Sequence, residues 1–362
     1  MTISDYITRI KKEIASSKLY EDEVPIWEEY KEYLESELLQ NPVNVGVACQ
    51  LAAVYNELRY SFKACIEVLC KLQKAAGDAL SPAEKSRVLT NLAFYYEEIG
   101  EDAKCISCLR EAAALKPRQP NAYDALARFL IEEGEFSGAV DCCRQAVSLS
   151  KELKYHYNYA VALYRSGHIQ EAKELFEVLA LEHKQERRVL FGLAVCCYYS
   201  GEKERAYAIA DELAKEETDD YIAEFEIAQL YFLCGDYAKH NAMHDNTPYP
   251  YYETASWLSH YFYCLFVLGK TDELKAKLNN ILQKKDEMIA DREAAELDTD
   301  ETPEGKAVEL QQLREEKNEI EEAYNKIINL NEKPEINIKL WFMYGCYLID
   351  CVRHSDWQEN TQ

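Results

Sequence analysis

No stretch of the 362 residues approaches the roughly 20 uncharged apolar residues of a membrane span, so no membrane partner is expected. Positive charge is scarce. Against 65 aspartates and glutamates stand 41 lysines and arginines, a net charge of −24. That balance argues against electrostatic binding of nucleic acid and would favour a basic partner, although solubility alone also accounts for it. No basic tract, zinc-finger spacing or glycine-rich phosphate loop occurs. Met1-Thr2-Ile3-Ser4-Asp5 lacks the basic head and apolar run of a secretory signal. Thirteen cysteines come without a small disulfide framework, so a reducing cytoplasm is the expected location. There is also no glycine-flanked nucleophilic serine, and no acid–base pair stands out among the surface carboxylates. Catalysis is poorly supported.

What is present is a period. Gly100, Gly134, Gly167, Gly201, Gly235 and Gly269 are separated by 34, 33, 34, 34 and 34 residues. Each follows a mostly apolar stretch of helical period and precedes another. The pattern predicts helix–turn–helix units, with glycine supplying the backbone dihedrals of the sharp turn. Small and large residues recur in register with the glycines: Leu92, Ala93, Tyr96, Cys105, Leu109 and Ala112 around Gly100, then Leu126, Ala127, Leu130, Ala139, Cys143 and Ala146 around Gly134. Tyr159, Ala160, Leu163, Ala172 and Phe176 surround Gly167, and Leu193, Ala194, Cys197 and Ala206 surround Gly201. Small residues lie where helices must approach closely, and larger ones fill the gap to the next unit.

These columns resemble the tetratricopeptide repeat family over some two-thirds of the chain. The resemblance implies an all-α fold: a right-handed superhelix of paired antiparallel helices, with a concave and often peptide-binding face. Residues 1–44 read as two capping helices. The first is amphipathic over 3–16, and the second carries Ile26, Trp27, Tyr30, Leu34 and Leu38 after a break at Glu21–Pro25. Residues 45–281 hold seven repeats, the first irregular because Arg59 stands where later units have glycine. Ser81-Pro82-Ala83-Glu84 predicts a capped helix start. The sixth repeat departs at His240, where others have alanine, and Asp245–Tyr252 breaks the helical period. Residues 270–332 read as a long helical hairpin continuing from the last repeat, and 334–353 as a terminal capping helix. Within the hairpin, residues 291–322 hold 13 acids and 4 bases, a solvated end or a docking site for a basic partner.

The resemblance also implies that the first helix of each pair lines the concave face. The glycine register then places Arg128, Lys154, Tyr157, Tyr164, Arg165, Arg188, Phe191, Tyr198, Tyr199, Phe225, Phe232 and Tyr263 inward. Rings would supply contact area and the cations would select acidic groups on a protein or peptide ligand. The same rings could instead be covered by the chain itself. Only Asn91 stands near the carboxylate-clamp position of the family's chaperone-tail binders, so that activity is not expected.

Cys105 and Cys108, like the Cys142–Cys143 pair, invite a metal reading, but Cys105 and Cys143 fall in core columns. His240, His244 and Asp245 lack a fourth ligand. No cofactor or metal is expected. The function predicted is a protein- or peptide-binding scaffold or adaptor, with a regulatory role open. Alternatives are an enzyme whose repeats position a substrate and a self-assembling structural protein.

Overall fold

The computed structural model describes residues 3–17, 19–215, 221–245, 254–297, 301–351 and 353–354, the side chains of 221–223, 244 and 245 excepted. Every regular element among the described residues is a helix. Two compact units are present: Met1–Leu175 with Trp341–Gln362, and Phe176–Leu340.

The first unit opens with α1 (Ile3–Ser16) and α2 (Tyr20–Gln40). The expected break at Pro25 is absent: α2 begins at Tyr20 and runs through the proline. Pro25 lies in the second turn, shortly after the amides that need no partner, so a single backbone hydrogen bond is forgone. Acidic Glu21, Asp22 and Glu23 in the first turn suit the positive end of the helix dipole. Ile7 and Ile10 of α1 pack with Trp27, Tyr30 and Leu34 of α2 on Val47, Leu51 and Val54. The last three belong to α3 (Val45–Glu57), which pairs with α4 (Phe62–Ala76).

Further pairs follow: α5 (Pro82–Glu98) with α6 (Asp102–Ala114), α7 (Asn121–Glu132) with α8 (Phe136–Leu149), and α9 (Leu153–Arg165) with the start of α10 (Ile169–Glu182). Ser81 and Glu84 close a capping box on α5, the Glu84 amide donating to Ser81 Oγ at 3.3 Å and the Ser81 amide to Glu84 Oε2 at 2.9 Å.

One turn recurs. All six glycines of the column have positive φ, from 71° at Gly100 and Gly269 to 91° at Gly235. At each, the next amide reaches back across the glycine, as Glu101 does to the Tyr96 carbonyl (2.9 Å) and Glu135 to that of Leu130 (2.8 Å). This is the Schellman closure, which needs a left-handed residue. Arg59 adopts φ 56° at the corresponding place, with Tyr60 reaching the Tyr55 carbonyl. Its guanidinium lies 4.1 Å from the Tyr20 ring centroid, a contact that offsets part of the left-handed strain.

The second unit holds the rest of α10, then α11 (Arg187–Tyr199), α12 (Lys203–Leu213), α13 (Tyr221–Cys234), α14 (Tyr237–Asp245), α15 (Ala255–Val267), α16 (Thr271–Ala294) and α17 (Pro303–Leu330). An added Cβ at Gly192 would fall 2.5 Å from the buried Phe176 ring, so this glycine is a packing requirement. His240 is buried, its Nδ1 2.8 Å from Asn241 Oδ1, a satisfied core histidine. The expected break in helical period over Asp245–Tyr252 falls, from 246 on, outside the described residues. Leu258, Phe262 and Leu265 of α15 pack with Leu274, Leu278, Ile281, Ile320 and Ile327 of α16 and α17. The four bases of the acidic stretch are not all free: Arg292 pairs with Glu309, Arg314 with Glu293, and Lys317 with Asp286.

The terminal capping helix is not formed. After the left-handed Asn331 that ends α17, residues 331–348 carry no regular structure. Burial alternates instead: Ile338, Leu340 and Phe342 are buried, whereas Asn337, Lys339 and Trp341 are exposed. A period of two is that of an extended chain. The apolar run that suggested helical period is equally compatible with it, and Pro334 and Gly345 weigh against helix.

Two core changes test this packing. Ala127 is fully buried. Ala127→Leu is expected to destabilise by about 1–3 kcal/mol through overpacking, read from the denaturation midpoint. The fully buried Tyr95 hydroxyl has no hydrogen-bond partner among the described residues. Tyr95→Phe removes that unsatisfied group and should raise stability by about 1 kcal/mol or more. A loss of stability would show that the hydroxyl is satisfied.

Candidate functional site

In the first unit residues 341–351, without regular structure to 348 and closed by a turn in which the Cys351 amide reaches the Leu348 carbonyl (3.2 Å), lie along the first helices of successive pairs, and side chains there meet their backbone. Asn158 on α9 accepts from the Met343 amide through Oδ1 (2.7 Å) and donates from Nδ2 to the Met343 carbonyl (3.2 Å). Asn121 on α7 donates to the Tyr347 carbonyl at 3.2 Å. Asn91 on α5 accepts from the Ile349 amide at 2.9 Å. Each amide side chain supplies what a neighbouring strand would supply in a sheet, and so permits burial of an extended backbone.

Side chains of the segment enter specific places. Tyr347 is buried, set edge-to-face on Phe94 with ring centroids 5.4 Å apart, and donates its hydroxyl to Glu97 Oε2 at 2.8 Å. Burial, with Cys105 and Glu97 adjacent, pushes that phenol well above its ordinary range. Glu97 is also held by Arg128 in a two-pronged pair of 2.6 and 2.7 Å. Burial opposes the Glu97 charge, yet the hydrogen bonds from Arg128 and Tyr347 outweigh it and hold the carboxyl below its usual value.

The Asp350 carboxylate is 1% exposed. Arg87 grips it from both Nε (2.8 Å) and NH2, Asn91 donates at 2.8 Å, and Gln50 donates at 3.2 Å to both its carboxylate and its carbonyl. The Tyr30 hydroxyl in turn orients Gln50, donating to Oε1 at 3.1 Å. Leu348 and Cys351 complete the seat, entering the apolar cluster of Ala48, Ala52, Val88 and Leu92.

The sequence-selected residues fall differently from expectation. Within the first unit, Arg128 pairs with Glu97, Lys154 with Asp124 (3.2 Å) and Arg165 with Glu132 (3.4 Å). These cations are neutralised by the chain itself rather than standing free to clamp a ligand. Burial raises the Asp124 carboxyl above its ordinary value although Lys154 and Asn158 pull the other way. Tyr157 and Tyr164 are buried, 3% and 8% exposed, so of the two alternatives left open by the sequence these two rings follow the covered one.

Within the second unit, Phe191 and Phe232 are buried, Tyr198, Phe225 and Tyr263 half-buried, and Tyr199 and Arg188 exposed. The Tyr199 hydroxyl donates to the Ile336 carbonyl (3.4 Å), His260 Nε2 lies 3.0 Å from the Glu335 carbonyl, and Lys333 sits 5.0 Å from the Phe232 ring centroid. Here too an extended stretch lies against first helices.

Of the groups that hold the segment, Arg128 is among the expected groove residues, whereas Gln50, Arg87, Asn121, Asn158 and Asp350 are not. A signal existed: Asn91 and Asn158 each stand nine residues before their glycines, Gly100 and Gly167. Amides buried in mid-helix need a partner, and none lies within their own repeats. The thirteen cysteines are free thiols. Burial pushes Cys65 and Cys105 up to about 12, which makes them inert apolar fillers rather than nucleophiles.

The Glu97 link has a defined acid limit. A depressed carboxyl contributes stability above its unfolded value, about 4.3, and loses it as pH falls through the lower folded value. Amide-exchange protection at Met343 and Ile349 should hold from neutrality to about pH 4.5 and decline below it. In Glu97→Gln that acid-dependent component should be absent.

No family model matches the chain. Among solved structures it is similar to a tetratricopeptide repeat protein from Parabacteroides merdae, at 13% identity and TM-score 0.45, covering 68% of this chain and 94% of that one. It is also similar to YrrB, described as a TPR protein with an unusual peptide-binding site, at 13% identity and TM-score 0.47, covering 53% and 96%. The C-terminal part of a TPR repeat-containing protein from Cytophaga hutchinsonii matches at 14% identity and TM-score 0.47, covering 61% and 88%. No helix among the described residues is long and apolar enough to cross a membrane. The chain's own recurrent helix pairs and their repeated glycine closure make it an all-α helical-repeat protein.

Proposed function

We propose that the protein is a peptide- or protein-binding scaffold whose inner face receives an extended segment, and that residues 341–351 are its built-in occupant. The carrying observation is the way that segment is held. Asn158, Asn121 and Asn91 engage its backbone, while the Glu97–Arg128 and Arg87–Asn91–Gln50 groups receive a tyrosine and an aspartate three residues later. Backbone contacts of this kind accept any extended chain, and the two side-chain seats supply selectivity. The ligand supported is therefore an extended peptide with an aromatic hydroxyl followed by a carboxylate. Its acidic group would be read by Arg87 rather than by Lys154, Arg165 or Arg188. Such a ligand competes with the chain's own segment, so the free groove is a minor state and apparent affinity falls in proportion.

The test weakens the occupant and leaves the groove intact. In Asp350→Asn the segment loses its charge on Arg87. A labelled peptide of residues 341–351 should bind that variant at least about tenfold more tightly than wild type, since a buried charge pair is worth about 2–5 kcal/mol. Asn158→Ala in the same background should weaken it again. If the folded Asp350→Asn protein takes up no peptide, the segment is a fixed part of the core and the scaffold reading fails.

A further inference from the structure

The expectation of no metal site considered Cys105, Cys108, Cys142, Cys143 and the histidines near 240. A different group forms where the groove segment ends. Cys346 and Cys351 are five positions apart, on either side of the four residues Tyr347–Asp350, and His354 follows Cys351 by three positions. The Sγ atoms of both cysteines and a ring nitrogen of His354 all lie within 4.8 Å of one another. Cys351 Sγ is 3.2 Å from His354 Nδ1. Cys351 is buried, Cys346 half-buried and His354 exposed, so the group has a dry floor and an open side.

The backbone adds a second observation. The His354 amide lies 3.4 Å from the Cys351 carbonyl, which keeps His354 close to Cys351. Arg353 anchors this stretch, reaching Glu57 at 2.7 Å and also Glu23. The ligand atoms are therefore held from both sides.

We infer that Cys346, Cys351 and His354 form a site for one divalent cation of the zinc class, with the fourth position open to solvent. Two thiolates and an imidazole suit a borderline-soft ion of tetrahedral preference. With Zn–S bonds of about 2.3 Å, two tetrahedral sulfurs sit about 3.8 Å apart, so the present spacing needs to contract by no more than about 1 Å. Binding replaces two thiol protons and leaves a neutral imidazole on the metal, so uptake releases protons and weakens on acidification. The ion closes the loop that carries Tyr347 and Asp350. This site stands on its own ligand geometry and does not depend on the groove's being exchangeable.

The experiment uses the full-length chain, reduced and stripped with a chelator. Zn(II) is titrated against a chromophoric competitor, and Co(II) absorption reports the ligands. Wild type should take up one ion per chain and give thiolate-to-cobalt charge transfer with tetrahedral ligand-field bands. The Cys346→Ser/Cys351→Ser protein should lose both. Because Cys351 packs in the core, a second variant guards against misfolding: exposed His354→Ala, with helicity checked by circular dichroism, should bind at least about tenfold more weakly with a shifted cobalt spectrum. Cys70→Ser, at an exposed thiol elsewhere, should match wild type. Wild-type uptake no greater than that of the double serine variant overturns the assignment. So does an unchanged affinity and cobalt spectrum in His354→Ala.

Discussion

A carboxylate taken out of water is among the costliest groups a fold can hold, and Asp350 is buried nearly completely in the first unit. It is tolerable only because Arg87, Asn91 and Gln50 converge on it from two first helices. The converse also holds. Without Asp350, those three would be a cation and two amides facing an apolar cluster of Ala48, Ala52, Val88 and Leu92. A hydrophobic replacement of the whole constellation could be as stable. What the polar version adds is register: Asp350 fixes which residue of the segment sits at which repeat, and hence where Tyr347 and Met343 fall.

The other side chains of the inner face follow the same rule of local neutrality. Arg128, Lys154 and Arg165 each reach a carboxylate in the preceding pair: Glu97, Asp124 and Glu132. Their charge is consumed in tying pair to pair. Arg128 does double duty, since its guanidinium also lies 5.4 Å from the Tyr344 ring centroid and 5.9 Å from that of Tyr347. An excess of acid in the composition is thus no guide to the sign of the groove.

Much of the scaffold was legible because its causes are local. The Gly100 to Gly269 column marks turns closed within six residues, and Ala127 or Ala194 marks a helix crossing that only a small side chain permits. The Ser81–Glu84 cap is likewise a four-residue affair. The site was not legible in the same way, because its causes are remote. Asn91 answers Ile349 across 258 residues and Asn158 answers Met343 across 185. Their shared place before Gly100 and Gly167 tells that a partner is needed, but nothing local tells which residues supply it. The terminal stretch misled for a related reason: Leu340, Phe342 and Leu348 fit more than one period, and the choice between helix and extended chain is made by the groove that receives them. Pro25 shows the reverse error, where a residue that breaks helices in isolation is accepted near a helix start.

The separations also impose an order of assembly. Contacts within each pair form between neighbours in sequence, whereas Gln50 meets Asp350 across 300 residues. Local closures outpace distant ones. On the ribosome the repeats of the first unit are complete long before residues 341–351 are translated. For that interval the nascent chain presents unmet asparagines, an unpaired Arg87 and an uncovered apolar seat to whatever surrounds it. A chaperone, a neighbouring nascent chain or a cognate peptide present at that moment meets no competitor, so timing of encounter could decide an outcome that affinity alone would not.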